Sequence, residues 1–125
     1  MSKPSLIAIV DDDEAMRDAL FDLLQVEGLS ARTFGDAGSF LASVAIDAFD
    51  CVITDVRMPG IDGLELQRRL RALGLPIPVI FVTSAEDEAS RAQAMADGAT
   101  AYLPKPLASA ELLHELSIAL HRQSG

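Results

Sequence analysis

The chain has 125 residues, 50% of them hydrophobic and 23% charged, which suits one globular domain over residues 1–125 and leaves no room for a second of ordinary size. Its 10 Lys and Arg against 19 Asp and Glu give a net charge of −9, so most of the surface would repel a polyanion and direct nucleic-acid binding is not expected. Apolar runs fall far short of the roughly 20 residues of a membrane span, Met1 to Pro4 show no secretory pattern, and Cys51, the one cysteine, closes no intrachain disulfide; the expected compartment is the cytoplasm.

Leu6 to Val10 opens the chain as an unbroken apolar run, the pattern of a strand covered on both faces. Met16, Ala19, Leu20, Leu23 and Leu24 then form one stripe at helical spacing, behind an N-cap at Asp13 and ended by Gly28. Leu29 to Phe34 mixes Ser30, Arg32 and Thr33 among apolar residues and suits a sheet edge. Phe40, Leu41 and Val44 mark a short second helix, Cys51 to Thr54 a central strand, and Leu66, Leu70 and Leu73 a third helix before Gly74. Val79 to Thr83 is another central strand. The fourth helix, about Asp87 to Asp97, is expected to bury mainly alanines, Ala89, Ala92 and Ala96, so it is the element expected to be held least tightly. Thr100 to Leu103 is a short edge strand stopped by Pro104, and Leu112, Leu113, Leu116 and Leu120 line a last helix capped by Ser109. Strands alternating with helices predict an α/β fold: a doubly wound, flavodoxin-like (βα)5 unit with a five-stranded parallel sheet of order 2-1-3-4-5. Ligands of such sheets sit beyond the carboxyl ends of the strands, beside the first and third.

Those ends carry Asp11, Asp12 and Asp13 after the first strand, Asp55 after the third, Thr83 at the fourth and Lys105 after the fifth. Adjacent first and third strands bring Asp11, Asp12 and Asp55 together, and three carboxylates at close range repel unless a cation joins them. A hard divalent ion is the natural partner, and Mg²⁺ suits a site with few carboxylates and several waters. Lys105 and Thr83 add a point charge and a neutral donor, equipment for a phosphoryl group.

In this arrangement the chain resembles the receiver domain of two-component response regulators. The likeness rests on Val10-Asp11-Asp12, the run Asp55 to Gly60, Asp62-Gly63, Thr83-Ser84-Ala85, Gly98-Ala99, Tyr102 and Lys105-Pro106, all in order. It implies that Asp55 accepts phosphate from a sensor histidine kinase, so the chain is a signalling switch and not an enzyme. It further implies that Asp12, Asp55 and the Arg57 carbonyl ligate Mg²⁺, with Asp11 acting through a bound water. Lys105 would pair with Asp55 or its phosphate. Thr83 and Tyr102 would form the switch, reshaping the surface of the fourth helix, fifth strand and fifth helix for a partner, an output domain or a second copy. A cis Lys105-Pro106 bond is expected on the same ground. Arg57 stands at a position that varies in receivers, where its side chain could overhang the acyl phosphate, and Leu107 replaces a frequent Phe. The likeness is strongest to the FixJ-like branch, whose members usually carry a C-terminal DNA-binding domain; the residues up to Gly125 hold none, so the sequence fits either a stand-alone receiver or a fragment.

The main rival is a haloacid-dehalogenase-like phosphatase with Asp11 as nucleophile and Asp13 as second carboxylate. Against it stand the short chain, the lack of a cap region, and Ala15 where that family has Thr or Val. A flavodoxin-type carrier would need a phosphate cradle where this chain places acids. His114 and His121 read as solvated helix residues, Arg68, Arg69 and Arg71 as a solvated basic face, and Cys51 as a small buried hydrophobe.

Overall fold

The computed structural model describes residues 5–124 apart from 44 and 86, with side chains described up to 121. In chain order they form β1 (Leu6–Val10), α1 (Glu14–Val26), β2 (Ser30–Phe34), α2 (Ala37–Leu41), a 3-10 turn (Ile46–Ala48), β3 (Cys51–Thr54), α3 (Gly63–Ala72), β4 (Val79–Thr83), α4 (Glu88–Ala96), β5 (Ala101–Pro104) and α5 (Ser109–Ser124). All five strands pair in parallel in the order β2-β1-β3-β4-β5, as the rhythm of the sequence predicts.

Strand alternation sorts the core into two layers. Ala8, Val10, Val52, Val79 and Phe81 face α2, α3 and α4, meeting Phe40, Leu66, Leu70 and Ala94. Ile7, Ile9, Cys51, Ile53, Ile80 and Val82 face the other way, onto Leu20 and Leu24 of α1 and Leu112, Leu116 and Ala119 of α5. Each central strand is thus buried on both sides, which explains why polar residues enter β3 and β4 only as the threonines at their ends, Thr54 and Thr83. The Cys51 thiol sits deep in the second layer, where burial pushes its pKa up to about 12; it is a core side chain and not a nucleophile.

The structure corrects several helix readings. The α1 stripe is centred on Leu20 and Leu24 with Met16 and Leu23 beside them, so Ala19 points outward. Leu73 is the C-cap of α3 and is 61% exposed, while Leu75 and Ile77 in the following turn cover the core instead. In α4 the inward residue is Ala94, flanked by half-buried Ser90 and Asp97, and Ala89, Ala92 and Ala96 are exposed. A helix so rich in alanine has little periodic contrast, so its phase is set by packing rather than by its own pattern. Pro104 lies inside β5, opposite Thr83, because the outer side of that edge strand needs no N–H. Ser109 is the first residue of α5 and not the one before it, and Leu112 N–H donates to the Ala108 carbonyl. Arg71 is no solvated residue: its guanidinium reaches into the α3–β4 turn to the Leu75 and Ile77 carbonyls at 3.0 and 2.9 Å. Val44, expected in the second helix, lies outside the described residues. Gly28 has φ +79 at the end of α1, a conformation open mainly to glycine.

Candidate functional site

Asp11 leaves β1 with its N–H bonded to the Phe34 carbonyl of β2 at 3.1 Å, and Asp55 leaves β3 with its N–H bonded to the Val10 carbonyl at 3.2 Å. The ladder therefore carries on past the assigned strands and sets both acids at one level. Carboxylate oxygens of Asp11, Asp12 and Asp55 all lie within 4.8 Å of one another, Asp11 and Asp55 buried and Asp12 exposed. Asp13, next in line, turns away: it caps α1 by accepting from the Ala15 and Met16 N–H groups.

Lys105 arrives from the far edge. Its N–H donates to the Thr83 carbonyl at 3.0 Å, the Lys105-Pro106 bond that follows is cis, and its ammonium donates to Asp55 Oδ2 at 2.9 Å and to Asp11 Oδ2 at 3.2 Å. The other oxygens are held by backbone: Asp55 Oδ1 accepts from the Val56 and Arg57 N–H groups at 2.6 and 3.3 Å, and Asp11 Oδ1 from Asp13 N–H at 2.9 Å. Burial pushes the Asp11 carboxyl above its usual range, against the pull of the Asp13 N–H and Lys105. Burial alone would lower Lys105, but its bonds to Asp55 and Asp11 prevail and hold the ammonium above its usual value. The set as a whole, three close carboxylates with hard oxygen donors, is consistent with a divalent metal site.

Thr83 and Tyr102 meet through Ala85. The Thr83 hydroxyl accepts from Ala85 N–H at 3.0 Å, and the Tyr102 hydroxyl donates to the Ala85 carbonyl at 2.8 Å. A cavity of about 270 Å³ beside them is lined by Thr83, Ala85, Glu88, Arg91, Tyr102 and Pro104. Arg91 of α4 lies over the Tyr102 ring with its guanidinium carbon 5.6 Å from the centroid.

The Arg57 side chain crosses to the N-cap of α4, where it pairs with Asp87 at 2.9 Å. Sequence reasoning missed that partner, which stands 30 residues away. It also assigned no role to Gly63 beyond its place in a motif. A Cβ on Gly63 would collide with the Asp55 carbonyl and press on the Phe81 ring, so the absent side chain lets the first turn of α3 back directly onto the acid. His114 is exposed on α5, as expected. Arg68 and Arg69 both pair with Glu65 one turn away and hold its carboxyl below the usual range, Arg69 most strongly.

The family described as response regulator receiver domain matches residues 7–117 of the chain. Among curated relatives, the transcriptional regulatory protein FixJ of Bradyrhizobium diazoefficiens is 38% identical over 98% of this chain and 60% of its own length. The response regulator protein TodT of Pseudomonas putida is 41% identical over 94% of this chain and 52% of its own. Among solved structures, that of response regulator StyR superposes with a TM-score of 0.89 at 34% identity, covering 98% of this chain and 62% of that one. The chain thus spans little more than half the length of these curated relatives.

Proposed function

This chain belongs to the response regulator receiver domain family, and from that premise we propose that Asp55 is its phosphoacceptor, served by Lys105, with Asp11, Asp12, Asp55 and the Arg57 carbonyl as the divalent-ion site. As a member it is a phosphorylation switch of two-component signalling rather than an enzyme, and its family implies a sensor kinase as partner. No helix among the described residues is long and apolar enough to cross a membrane. The phosphatase alternative falls with the family assignment, and Asp13, its required second carboxylate, is occupied as a helix cap.

The observation that carries the assignment is the Lys105 ammonium bridging Asp55 and Asp11 while two backbone N–H groups hold the other oxygen of Asp55. A carboxylate so fixed is oriented for in-line attack. One Asp55 oxygen forms the new O–P bond as the P–N bond of the kinase phosphohistidine breaks, and the imidazole leaves. Lys105 offsets charge on the transferring group, and Thr83 turns its hydroxyl from Ala85 to a phosphoryl oxygen. Mg²⁺, the ion best suited to these donors, would supply further neutralisation of phosphoryl charge. Release of Thr83 from Ala85 loosens the segment that also accepts from Tyr102, and the adjoining cavity gives that ring room to turn. The α4–β5–α5 surface changes with it, and an output partner or a second copy docks there.

Incubation with acetyl phosphate and Mg²⁺ tests the assignment. One phosphoryl group should appear by intact mass, and EDTA or Asp55→Asn should prevent it. Full labelling of the Asp55→Asn protein would overturn the choice of Asp55.

A further inference from the structure

Asp12 differs from its two companions. Its carboxylate is exposed and, among the described residues, takes part in no hydrogen bond or ion pair, so the one constraint on it is the Cα–Cβ direction set by the backbone that carries it. That backbone is tied on both sides of Asp12, on the far side by the Asp13 cap and by Arg17 N–H donating to the Asp13 carbonyl at 3.0 Å. Asp11 N–H bonds to β2, Asp13 N–H bonds to the Asp11 carboxylate, and the Asp11 carbonyl accepts from Arg17 Nη1 at 2.7 Å. The last of these holds the very peptide that joins Asp11 to Asp12, and it is a charge-assisted bond from a half-buried guanidinium.

We propose that Arg17 is a positioning residue for the divalent cation: by fixing the Asp11–Asp12 peptide it aims the Asp12 carboxylate into the site shared with Asp11 and Asp55. The inference rests on the divalent-ion reading of those acids. A competing role makes the opposite prediction. Were Arg17 only a counter-ion for the acidic cluster, removing its charge would deepen the negative potential and tighten cation binding. The sign of the change separates the two roles, and loss of an outer residue that orients a ligand typically weakens metal binding about 10-fold or more.

The experiment is direct titration with Mn²⁺, followed by the loss of its free-ion electron paramagnetic resonance signal, on wild type, Arg17→Met, Arg17→Gln and Arg17→Lys. Thermal midpoints measured in parallel show that each titrated protein is folded. Arg17→Met should weaken Mn²⁺ binding about 10-fold. Arg17→Lys, which keeps a donor and the charge, should recover most of that loss, and Arg17→Gln, the milder change should Arg17→Met not fold, should fall between. Unchanged or tighter binding in Arg17→Met, or in Arg17→Gln if that is the folded variant, would overturn the proposal. An Asp12→Asn control separates its failure from that of the site itself: if wild type and Asp12→Asn bind Mn²⁺ alike, the divalent-ion reading is wrong and the role of Arg17 falls with it.

Discussion

Helix α1 follows the tip of β1 behind an Asp13 cap, and α4 follows the tip of β4 behind an Asp87 cap, so both begin beside the acidic site. Beyond the first turn they diverge. Helix α1 buries Leu20 and Leu24 completely or nearly so, and Met16, Phe21 and Leu23 pack around them. Helix α4 buries only Ala94 and is tied instead by polar contacts at its surface: Arg57 to Asp87, Arg68 to Asp97 at 4.0 Å, and Arg91 over Tyr102. Exposed pairs of this kind contribute about 0 to 1 kcal/mol each, whereas one buried leucine contributes roughly 2. The α1 side of the cleft is therefore anchored, and the α4 side, beyond Thr83, is adjustable. A site that must hold three acids in register while transmitting a signal needs that asymmetry.

The comparison breaks most readily at the leucines. Leu24→Ala should lower unfolding free energy by about 2 to 5 kcal/mol in urea titrations, and Ala94→Gly by only about 1 kcal/mol. Similar losses from the two would mean that α4 is anchored as firmly as α1. A smaller effect of opposite sign sharpens the picture from α3, which packs against α4. Gln67 is fully buried there, and neither amide atom has a hydrogen-bond partner among the described residues. Gln67→Met should raise stability by about 1 kcal/mol, because the desolvated amide is a cost that a thioether of similar size does not carry. A loss of stability would show that the amide is satisfied.

What the sequence revealed depended on contrast. The strands were legible because β1, β3 and β4 are apolar up to a terminal threonine in the last two, and their order followed from the mixed polar and apolar Ser30 to Phe34 at one edge and the short, proline-ended β5 at the other. The acids and Lys105 were legible because strand ends focus them on one place. The phase of α4 was not, since exposed Ala92 and buried Ala94 are the same residue type. Nor were Arg17, Gly63 and the Arg57–Asp87 pair: each acts on backbone or across 30 residues of chain, where no local pattern points.

The most direct test of the fixed and adjustable walls is backbone NMR or hydrogen exchange with and without beryllofluoride, a mimic of the aspartyl phosphate. In wild type with Mg²⁺, changes should concentrate along residues 87–103, while amides of Leu20 to Leu24 in α1 keep their protection. Thr83→Ala should still bind the mimic at Asp55 yet lose most of the α4 and β5 response, consistent with a coupling of about 1 to 3 kcal/mol. Equal changes in α1 and α4, or an undiminished response in Thr83→Ala, would contradict the account.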